Sequence, residues 1–292
     1  MVSAVCVLVL VAGLAGALAS APGARRPLRH PTAAEQLAVA ARATVGHGSA
    51  VATVVATVIG PNGVTVDQSG KAQIDFVHDR VGLVEEVSST LVSEPRREEI
   101  RRLGRRLFGA LAGFSALPGG RPWVDLSHQL ASTAGVLPGQ VATMESDPAE
   151  VLDLLGSPHT TAAVATGVPP PGGGQTLAVT VLPATFDRRF EHLGLPPSLL
   201  AQAVHQVDAS GLVQYQVTID VSGTISAVVV SLPGVGGLTT PDVVALGLSG
   251  LGTKVRIRAP RPGDVMGYPQ FAAALASAQQ AVASSTLPAP AG

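Results

Sequence analysis

The distribution of apolar and polar positions changes near residue 49 and is from there on mostly typical of β-strands. After Ser49, β-branched runs and alternating residues recur between turn signals rich in Gly, Pro and Asn. The clearest alternation lies in residues 71–76, where Ile74 and Phe76 share one face and polar residues occupy the other. These patterns predict strands at residues 50–59, 71–76, 81–87, 121–127, 177–182, 212–219, 224–232 and 254–258.

A smaller number of segments have helical spacing. Thr32 and Glu35 form a capping-box pattern ahead of apolar residues that recur at helical intervals. Asp147 and Glu150 form a second such signal, with Pro148 at the first helical position. These signals predict helices at residues 32–46 and 147–155, and weaker patterns predict helices at 186–193, at 198–207 and in the tail after 271.

Residues 98–111 are compatible with two local structures. Ile100, Leu103 and Leu107 recur at the spacing of one helix face. The same residues also fit a β-hairpin that turns near Gly104. The local pattern by itself favours the helix and leaves the hairpin open.

The first 21 residues predict export from the cytoplasm. Residues 2–21 contain no charged side chain, and Ala17-Leu18-Ala19 fits the cleavage site of a signal peptide. A run of about 20 apolar residues is also long enough to span a bilayer. Residues 1–21 are therefore a signal peptide or an N-terminal membrane anchor, followed by a Pro- and Arg-rich linker at 22–31.

The overall composition excludes several classes of function. Hydrophobic residues make up 46% of the 292 residues and charged residues 13%, and the net charge is -1. This balance argues against nucleic-acid binding, which requires a clustered basic excess. Cys6 is the one cysteine, and it lies at the start of the apolar run, where a lipobox would not place it. The spacing of the histidines fits no metal pair, and we predict no cofactor or metal.

No pattern in the chain fits a catalytic site well. Ser249 lies in Gly-Leu-Ser-Gly-Leu-Gly, which differs from the G-x-S-x-G turn that exposes a nucleophilic serine. Asp125 and Asp147 are better explained as a strand residue and a helix cap than as an acid/base pair. The glycines at 172–174 lack the Lys-Ser/Thr ending of a phosphate-binding loop. We therefore predict that the protein is not an enzyme.

Four stretches, in this order, resemble the LppX/LprG-type lipoproteins of bacterial envelopes, which are related in architecture to the LolA lipoprotein carriers. Each stretch alone is weakly specific, but their order and spacing match the family across residues 32–265. The stretches are Lys71-Ala-Gln-Ile-Asp-Phe76, Gly119-Gly-Arg-Pro-Trp-Val-Asp125, Asp147-Pro-Ala-Glu-Val-Leu-Asp-Leu-Leu155 and Gly252-Thr-Lys-Val-Arg-Ile-Arg-Ala-Pro260.

The resemblance implies an α+β fold, with a curved antiparallel half-barrel sheet wrapped around helices and an apolar cavity between them. It places the half-barrel domain at residues 32–265, leaves an Ala/Ser/Pro-rich tail at 266–292, and favours the hairpin at 98–111. It also implies that the helix at 147–155 crosses the concave side. The residues expected to line the cavity are Ile74, Phe76, Val151, Leu155, Val179 and Val181.

The same resemblance implies a secreted or membrane-associated protein of the cell envelope that binds or carries a lipid or an acylated, lipid-like ligand. The alternative is a non-catalytic cell-surface module, structural or interacting, with a closed core. Two departures from the family are the missing lipobox and the unusually charged residues 93–106. The arginines of this segment are either a solvated face or a contact with anionic lipid head groups; they are Arg96, Arg97, Arg101, Arg102, Arg105 and Arg106.

Overall fold

The computed structural model describes residues 30–59, 64–90, 92–110, 119–127, 148–157, 160–165, 170, 173–181, 213–232 and 242–285. Three α-helices lie in this part of the chain: α1 (Ala33–Gly46), α2 (Pro148–Leu155) and α3 (Tyr268–Ser285). The strands are β1 (Ser49–Ile59), β2 (Thr65–Asp75), β3 (Arg80–Ser89), β4 (Val92–Leu103), β5 (Arg106–Ala110), β6 (Trp123–Asp125), β7 (Thr160–Val164), β8 (Gln175–Val181), β9 (Val213–Ile219), β10 (Ile225–Leu232), β11 (Asp242–Ser249) and β12 (Val265–Gly267).

All twelve described strands form one open sheet. Their order is β12-β6-β5-β4-β3-β2-β1-β11-β10-β9-β8-β7. Neighbouring strands are antiparallel except for β12 and β6, which are parallel. The first and last parts of the chain therefore meet in the middle of the sheet, where β1 pairs with β11. The predicted α+β fold with an antiparallel sheet is confirmed.

The ambiguous segment at 98–111 is a hairpin, as the family resemblance implied. β4 and β5 pair through Leu103 and Arg106, and the turn between them places Gly104 at a φ of 57°. A positive φ of this kind is unfavourable for side-chain-bearing residues, so glycine suits the turn. The helical spacing of Ile100 and Leu107 is accommodated because both strands also place these residues on one face of the sheet.

The prediction of a strand at 254–258 was wrong. Residues 253–261, which we name the cross-sheet segment, are extended but belong to no strand. They connect β11 to β12, and six strands lie between these two. Seven strand spacings of about 4.8 Å require roughly 34 Å. About sixteen residues cover that distance when extended but not as a helix, which rises only about 1.5 Å per residue.

The cross-sheet segment runs over one face of β1 to β4. Ser49 donates a hydrogen bond to the carbonyl of Thr253 over 2.6 Å, and Arg101 donates to the carbonyl of Arg258 over 2.8 Å. Between these points, Ile257 is 8% exposed and lies over Gly82. We call this face the outer face. The cross-sheet segment alternates in sequence because Ile257 faces the sheet while its charged neighbours face solvent.

The opposite, inner face of the sheet carries the main apolar core. Ala52, Ala72 and Leu83 are direct cross-strand neighbours on this face, and none is more than 4% exposed. The core continues over β8 to β11 and includes buried residues of α1 and α2. The alternation of buried and more exposed residues in β1 and β2 follows from this arrangement, because one face carries the core and the other is more accessible to water.

A second, smaller apolar cluster lies at the β12 edge of the sheet. Val124 and Met266 are paired neighbours on β6 and β12, and Phe271 of α3 packs against them. The tail that the sequence placed outside the half-barrel domain therefore contributes a helix to this edge, at least as far as its first turns. The predicted helices at 186–193 and 198–207, and the predicted cap Asp147, lie outside the described residues.

Candidate functional site

The six residues predicted to line a cavity come together in one apolar cluster. Ile74 lies on β2, Val151 and Leu155 on α2, and Val179 and Val181 on β8; each of these five is at most 1% exposed. Phe76 lies one residue beyond the end of β2, in a turn rather than in the predicted strand, and is partly buried against the same cluster. The cluster thus joins β2 to β8, which are separated by four strands.

Two buried threonines fasten the helices to the inner face. Thr44 of α1 accepts a hydrogen bond from the backbone N–H of Ile225 on β10, over 2.8 Å, and donates to the carbonyl of Ala40. Thr160 at the start of β7 donates to the carbonyl of Leu154 at the end of α2. Because buried backbone groups that lose their partners are costly, these contacts fix where the helices lie over the sheet.

The helices α1 and α2 also pack against each other. A Cβ atom placed on Gly156, just after α2, would lie 3.7 Å from the Cβ of Ala41. The start of α1 is stabilised by the capping box that the sequence predicted, in which Thr32 and Glu35 bond to each other's backbone N–H groups. The apolar faces of both helices are therefore presented together to the strands β7 to β10.

The inner face changes from apolar to polar at the same level on β2, β3 and β4. On β3, the next inner-face residue after Leu83 is Glu85. On β4, which runs in the opposite direction, the inner-face residue before Ile100 is Glu98. Glu85 lies directly opposite Glu98 and opposite Gly70 of β2. Gln68, two residues before Gly70, completes the group. We name Gln68, Glu85 and Glu98 the polar end of the inner face.

The residues of the polar end were missed by the sequence analysis, although a signal for them exists. The strand pattern at 81–87 alternates, so Glu85 shares a face with Val81 and Leu83 and must be buried with them. Burial raises the pKa of Glu98, while the neighbouring charge of Arg96 acts in the opposite direction. Two adjacent glutamates in an apolar strand are usually expected to face solvent, but here Glu86 is exposed and Glu85 is buried.

The six arginines of the charged segment do not form one surface. By strand register, Arg96 and Arg102 lie on the inner face, whereas Arg97, Arg101 and Arg106 lie on the outer face. Arg102 pairs with Asp79, and Arg101 pairs with Glu99 through two nitrogens and stacks on Trp123 at 4.4 Å. The exposed arginines of the segment are Arg96, Arg97, Arg105 and Arg106.

Arg106 and Asp125 also have structural contacts. Arg106 donates to Asp125 over 2.9 Å and lies over the ring of Phe108 at 4.7 Å. Burial would raise the pKa of Asp125, but hydrogen bonds from Ser127 and Arg106 outweigh it and hold the pKa below its ordinary value. Asp125 therefore stays ionised near neutral pH and acts as an anchor for the β5–β6 corner, which agrees with its predicted role as a strand residue.

A groove of about 490 Å³ lies on the outer face beside the cross-sheet segment. Its apolar floor is formed by Val84 and Ile257, and Lys71, Arg256 and Arg258 stand at its rim. Ser249, considered above as a nucleophile, lies near the same face of β11 and donates to the carbonyl of Val51.

Across the described ranges, no helix combines the length and the hydrophobicity needed to cross a membrane.

Comparison with solved structures gives distant likenesses, and two of them are to LprF and to a LolA superfamily protein. No family model matches the sequence, and no curated protein is similar to it. The crystal structure of LprF from Mycobacterium bovis is 14% identical with a TM-score of 0.38, covering 78% of this chain and 96% of that chain. A LolA superfamily protein, NE2245 from Nitrosomonas europaea, is 12% identical with a TM-score of 0.23, covering 80% of this chain and 96% of that chain.

Both matches agree with the resemblance to LolA-like proteins that the sequence motifs predicted. Both identities and both TM-scores are low. The likeness therefore carries no argument about ligand or mechanism, which must come from the residues of this chain.

Proposed function

We propose that the protein binds or carries a lipid, or an acylated lipid-like ligand, outside the cytoplasm and without catalysing a reaction. The acyl chains would lie among Ile74, Phe76, Val151, Leu155, Val179 and Val181. The observation that carries the proposal is that these residues, which the sequence predicted to line a cavity, belong to one apolar cluster between the sheet and α2. Binding would be a partition of acyl chains out of water, at about 0.8 kcal/mol for each buried CH2 group.

Small side chains in the centre of the inner face support this reading. Ala50, Ala52 and Ala56 of β1 are at most 1% exposed; on β2, Ala72 pairs with Ala52 and Gly70 pairs with Val54. A floor of small residues leaves depth between the sheet and whatever covers it, whereas Leu or Phe at these positions would fill that depth. The export signal predicted for residues 1–21 supports the location outside the cytoplasm.

A closed, non-catalytic structural module is the second candidate. It is favoured by the nearly complete burial of Ile74, Val179 and Val181, which a dry core would also produce. The two candidates differ in one physical property. A ligand cavity has room for a larger side chain, while a close-packed core does not.

The substitution Val179→Trp tests this difference. If the inner face borders a ligand cavity, the indole fills space that acyl chains would occupy, so uptake of a fluorescent acylglycerol falls strongly while the melting temperature changes little. The matched control is Ala178→Trp on the same strand, because Ala178 is exposed on the outer face and its substitution leaves uptake unchanged. Uptake equal to wild type, together with marked destabilisation of Val179→Trp, would support the closed module instead.

We propose a membrane contact only for arginines of the segment whose side chains are exposed. Arg101 and Arg102 already have partners within the fold, and Arg106 is shared with Asp125. Arg96 and Arg97 are adjacent at one end of β4, and we propose that this end meets anionic lipid head groups; Arg105 lies in the turn at the other end of the strand. Each such charge near an anionic bilayer surface contributes about 1 kcal/mol.

A further inference from the structure

The polar end of the inner face, Gln68, Glu85 and Glu98, is an unusual surface for the interior of a sheet. Glu85 is 1% exposed and Gln68 is 2% exposed, and Glu98 is half-buried beside them. Each borders the apolar cluster. Gln68 is the cross-strand neighbour of Ala56, Glu85 comes two residues after Leu83 on β3, and Glu98 comes two residues before Ile100 on β4. The apolar surface and the polar surface are therefore continuous on one face.

Gln68 shows that this surface has hydrogen-bonding capacity to offer. Its side-chain oxygen Oε1 is fully buried and accepts no hydrogen bond from any residue that the structure describes. A buried polar atom without a partner costs about 1–3 kcal/mol, so such atoms are rare in folded proteins. A ligand group that donates a hydrogen bond would remove this cost on binding.

The three side chains together define the chemistry of a suitable ligand group. The amide oxygen of Gln68 and the carboxylates of Glu85 and Glu98 are all acceptors when the acids are ionised. Glu85 and Glu98 are direct cross-strand neighbours, and like charges in that position repel each other. A hydroxyl or ammonium donor at this level gives the buried oxygen of Gln68 a partner, whereas the carboxylates repel an anionic group. The charge of Arg96, on the same face, offsets part of that repulsion.

The length of the face fits an amphiphile. Ile74 and Gln68 lie six residues apart on β2, which corresponds to about 20 Å along the strand. The hydrocarbon core of a bilayer is two acyl chains deep and about 30 Å thick, so one chain spans roughly 15 Å. An acyl chain that begins near Ile74 thus brings its head group to the level of Glu85 and Gln68.

We propose that Gln68, Glu85 and Glu98 form a head-group subsite that selects acyl ligands with a hydrogen-bond-donating head, carrying hydroxyl or ammonium groups, over ligands with an anionic head. This subsite deepens the lipid-binding function proposed above and rests on it. The apolar cluster supplies affinity for any acyl chain, and the polar end discriminates between head groups. Specificity is then a difference in affinity that the two regions produce separately.

Three fluorescent probes with the same acyl chain test the subsite. The probes end in a glycerol ester, a primary amine or a carboxylate, and their dissociation constants are measured with the full-length protein. For wild type we expect the glycerol or the amine probe to bind about tenfold or more tightly than the carboxylate probe. A preference for the glycerol probe assigns the subsite to hydroxyl groups, and a preference for the amine probe assigns it to ammonium groups.

The variants Glu85→Gln and Gln68→Leu are expected to reduce this preference severalfold without weakening the carboxylate probe. The matched control is Glu86→Gln, the adjacent glutamate, which is exposed on the outer face and should leave all three constants unchanged. If Glu85→Gln fails to fold, Gln68→Leu and Glu98→Gln carry the test, because they alter the same surface from neighbouring strands.

Two results separate the failure of the subsite from the failure of the proposed function. Equal binding of all three probes to wild type, or variants that behave like Glu86→Gln, would overturn the subsite and leave lipid binding intact. Binding of none of the probes by correctly folded wild type would overturn lipid binding, and the subsite with it.

Discussion

The two faces of β1 to β4 are made by the same strands and are stabilised in different ways. The inner face is apolar along most of its length and its apolar residues are almost fully buried, so area removed from water dominates its energetics. The outer face is covered by a single extended segment, held by a few hydrogen bonds and by Ile257. The difference implies that small changes of volume are costly on the inner face and tolerated on the outer face.

Two glycines provide the sharpest test of this contrast. A Cβ atom on Gly70 of the inner face would lie 2.6 Å from the carbonyl oxygen of Val84, too close for any real contact. A Cβ atom on Gly82 of the outer face would meet only side-chain carbons of Ile257, the nearest at 3.5 Å. We expect Gly70→Ala to lower the free energy of unfolding by about 3 kcal/mol, since overpacking against backbone cannot relax easily.

The control Gly82→Ala should change stability by no more than about 0.5 kcal/mol, as ordinary surface substitutions do. Urea unfolding followed by circular dichroism measures both values. Equal destabilisation by the two substitutions would contradict the contrast between the faces.

A pair of adjacent valines on β1 gives the next largest effect. Val54 is 1% exposed on the inner face, and Val55 is 53% exposed on the outer face. Val54→Ala should lower the free energy of unfolding by about 2 kcal/mol, from lost burial and the space left behind. Val55→Ala, the matched control, should have an effect of less than about 0.5 kcal/mol. Thermal denaturation would count against this view if the two variants melted at the same temperature.

Arg101 combines three contacts on the outer face. Arg101 binds the carbonyl of Arg258, pairs with Glu99 and stacks on Trp123. We expect Arg101→Ala to cost about 1–2 kcal/mol, because these partly exposed contacts are each modest. Faster proteolysis near residues 253–261, measured by limited digestion, should accompany it. The conservative variant Arg101→Lys keeps the charge and loses the two-nitrogen pairing, so it should fall in between.

The turn between β9 and β10 should produce the smallest effect, and one that depends on pH. Asp220 accepts hydrogen bonds from the backbone N–H groups of Ser222 and Thr224, at 2.9 and 3.0 Å. Burial would raise the pKa of Asp220, but these bonds and those from both hydroxyl groups outweigh it and lower the pKa. At pH 7, Asp220→Ala should cost about 1 kcal/mol, as the loss of a comparable cap does.

The sign of the pH dependence follows from the lowered pKa. The stabilisation by Asp220 is complete above the pKa of the unfolded chain, about 3.9, and is lost as the pH falls through the lower folded value. The stability difference between wild type and Asp220→Ala should therefore shrink at pH 3. Asp153→Ala, at an exposed position of α2, serves as the control and should cost little at either pH. A difference that persists unchanged in acid would disprove the account of the turn.

Local patterns predicted the elements that depend on local chemistry. The capping box at Thr32, the strands at 212–219 and 224–232 and the alternation around Ile74 each depend on residues close in the chain, and each is present. The strand β11 was not predicted, although it is central in the sheet. Its sequence has few polar positions to mark alternation, and its partners β1 and β10 lie elsewhere in the chain.

The candidate site was predictable only in part. Alternation placed Val179 and Val181 on one face, and burial of that face required them to meet other apolar residues. The polar end was not predictable, because Glu85 is buried only through the register of β3 between β2 and β4. Sequence spacing gives the face of a residue but not which end of that face is covered.

By itself the sequence determined the short-range features: where α1 begins, which residues alternate, and where the chain turns back. These follow from hydrogen bonds and steric limits between residues close in the chain. Only the tertiary structure decided the order of the strands, the path of residues 253–261 and the burial of Glu85. A helix is much shorter than an extended chain of the same number of residues. Residues 253–261 are extended because the distance from β11 to β12 is too long for a helix to span.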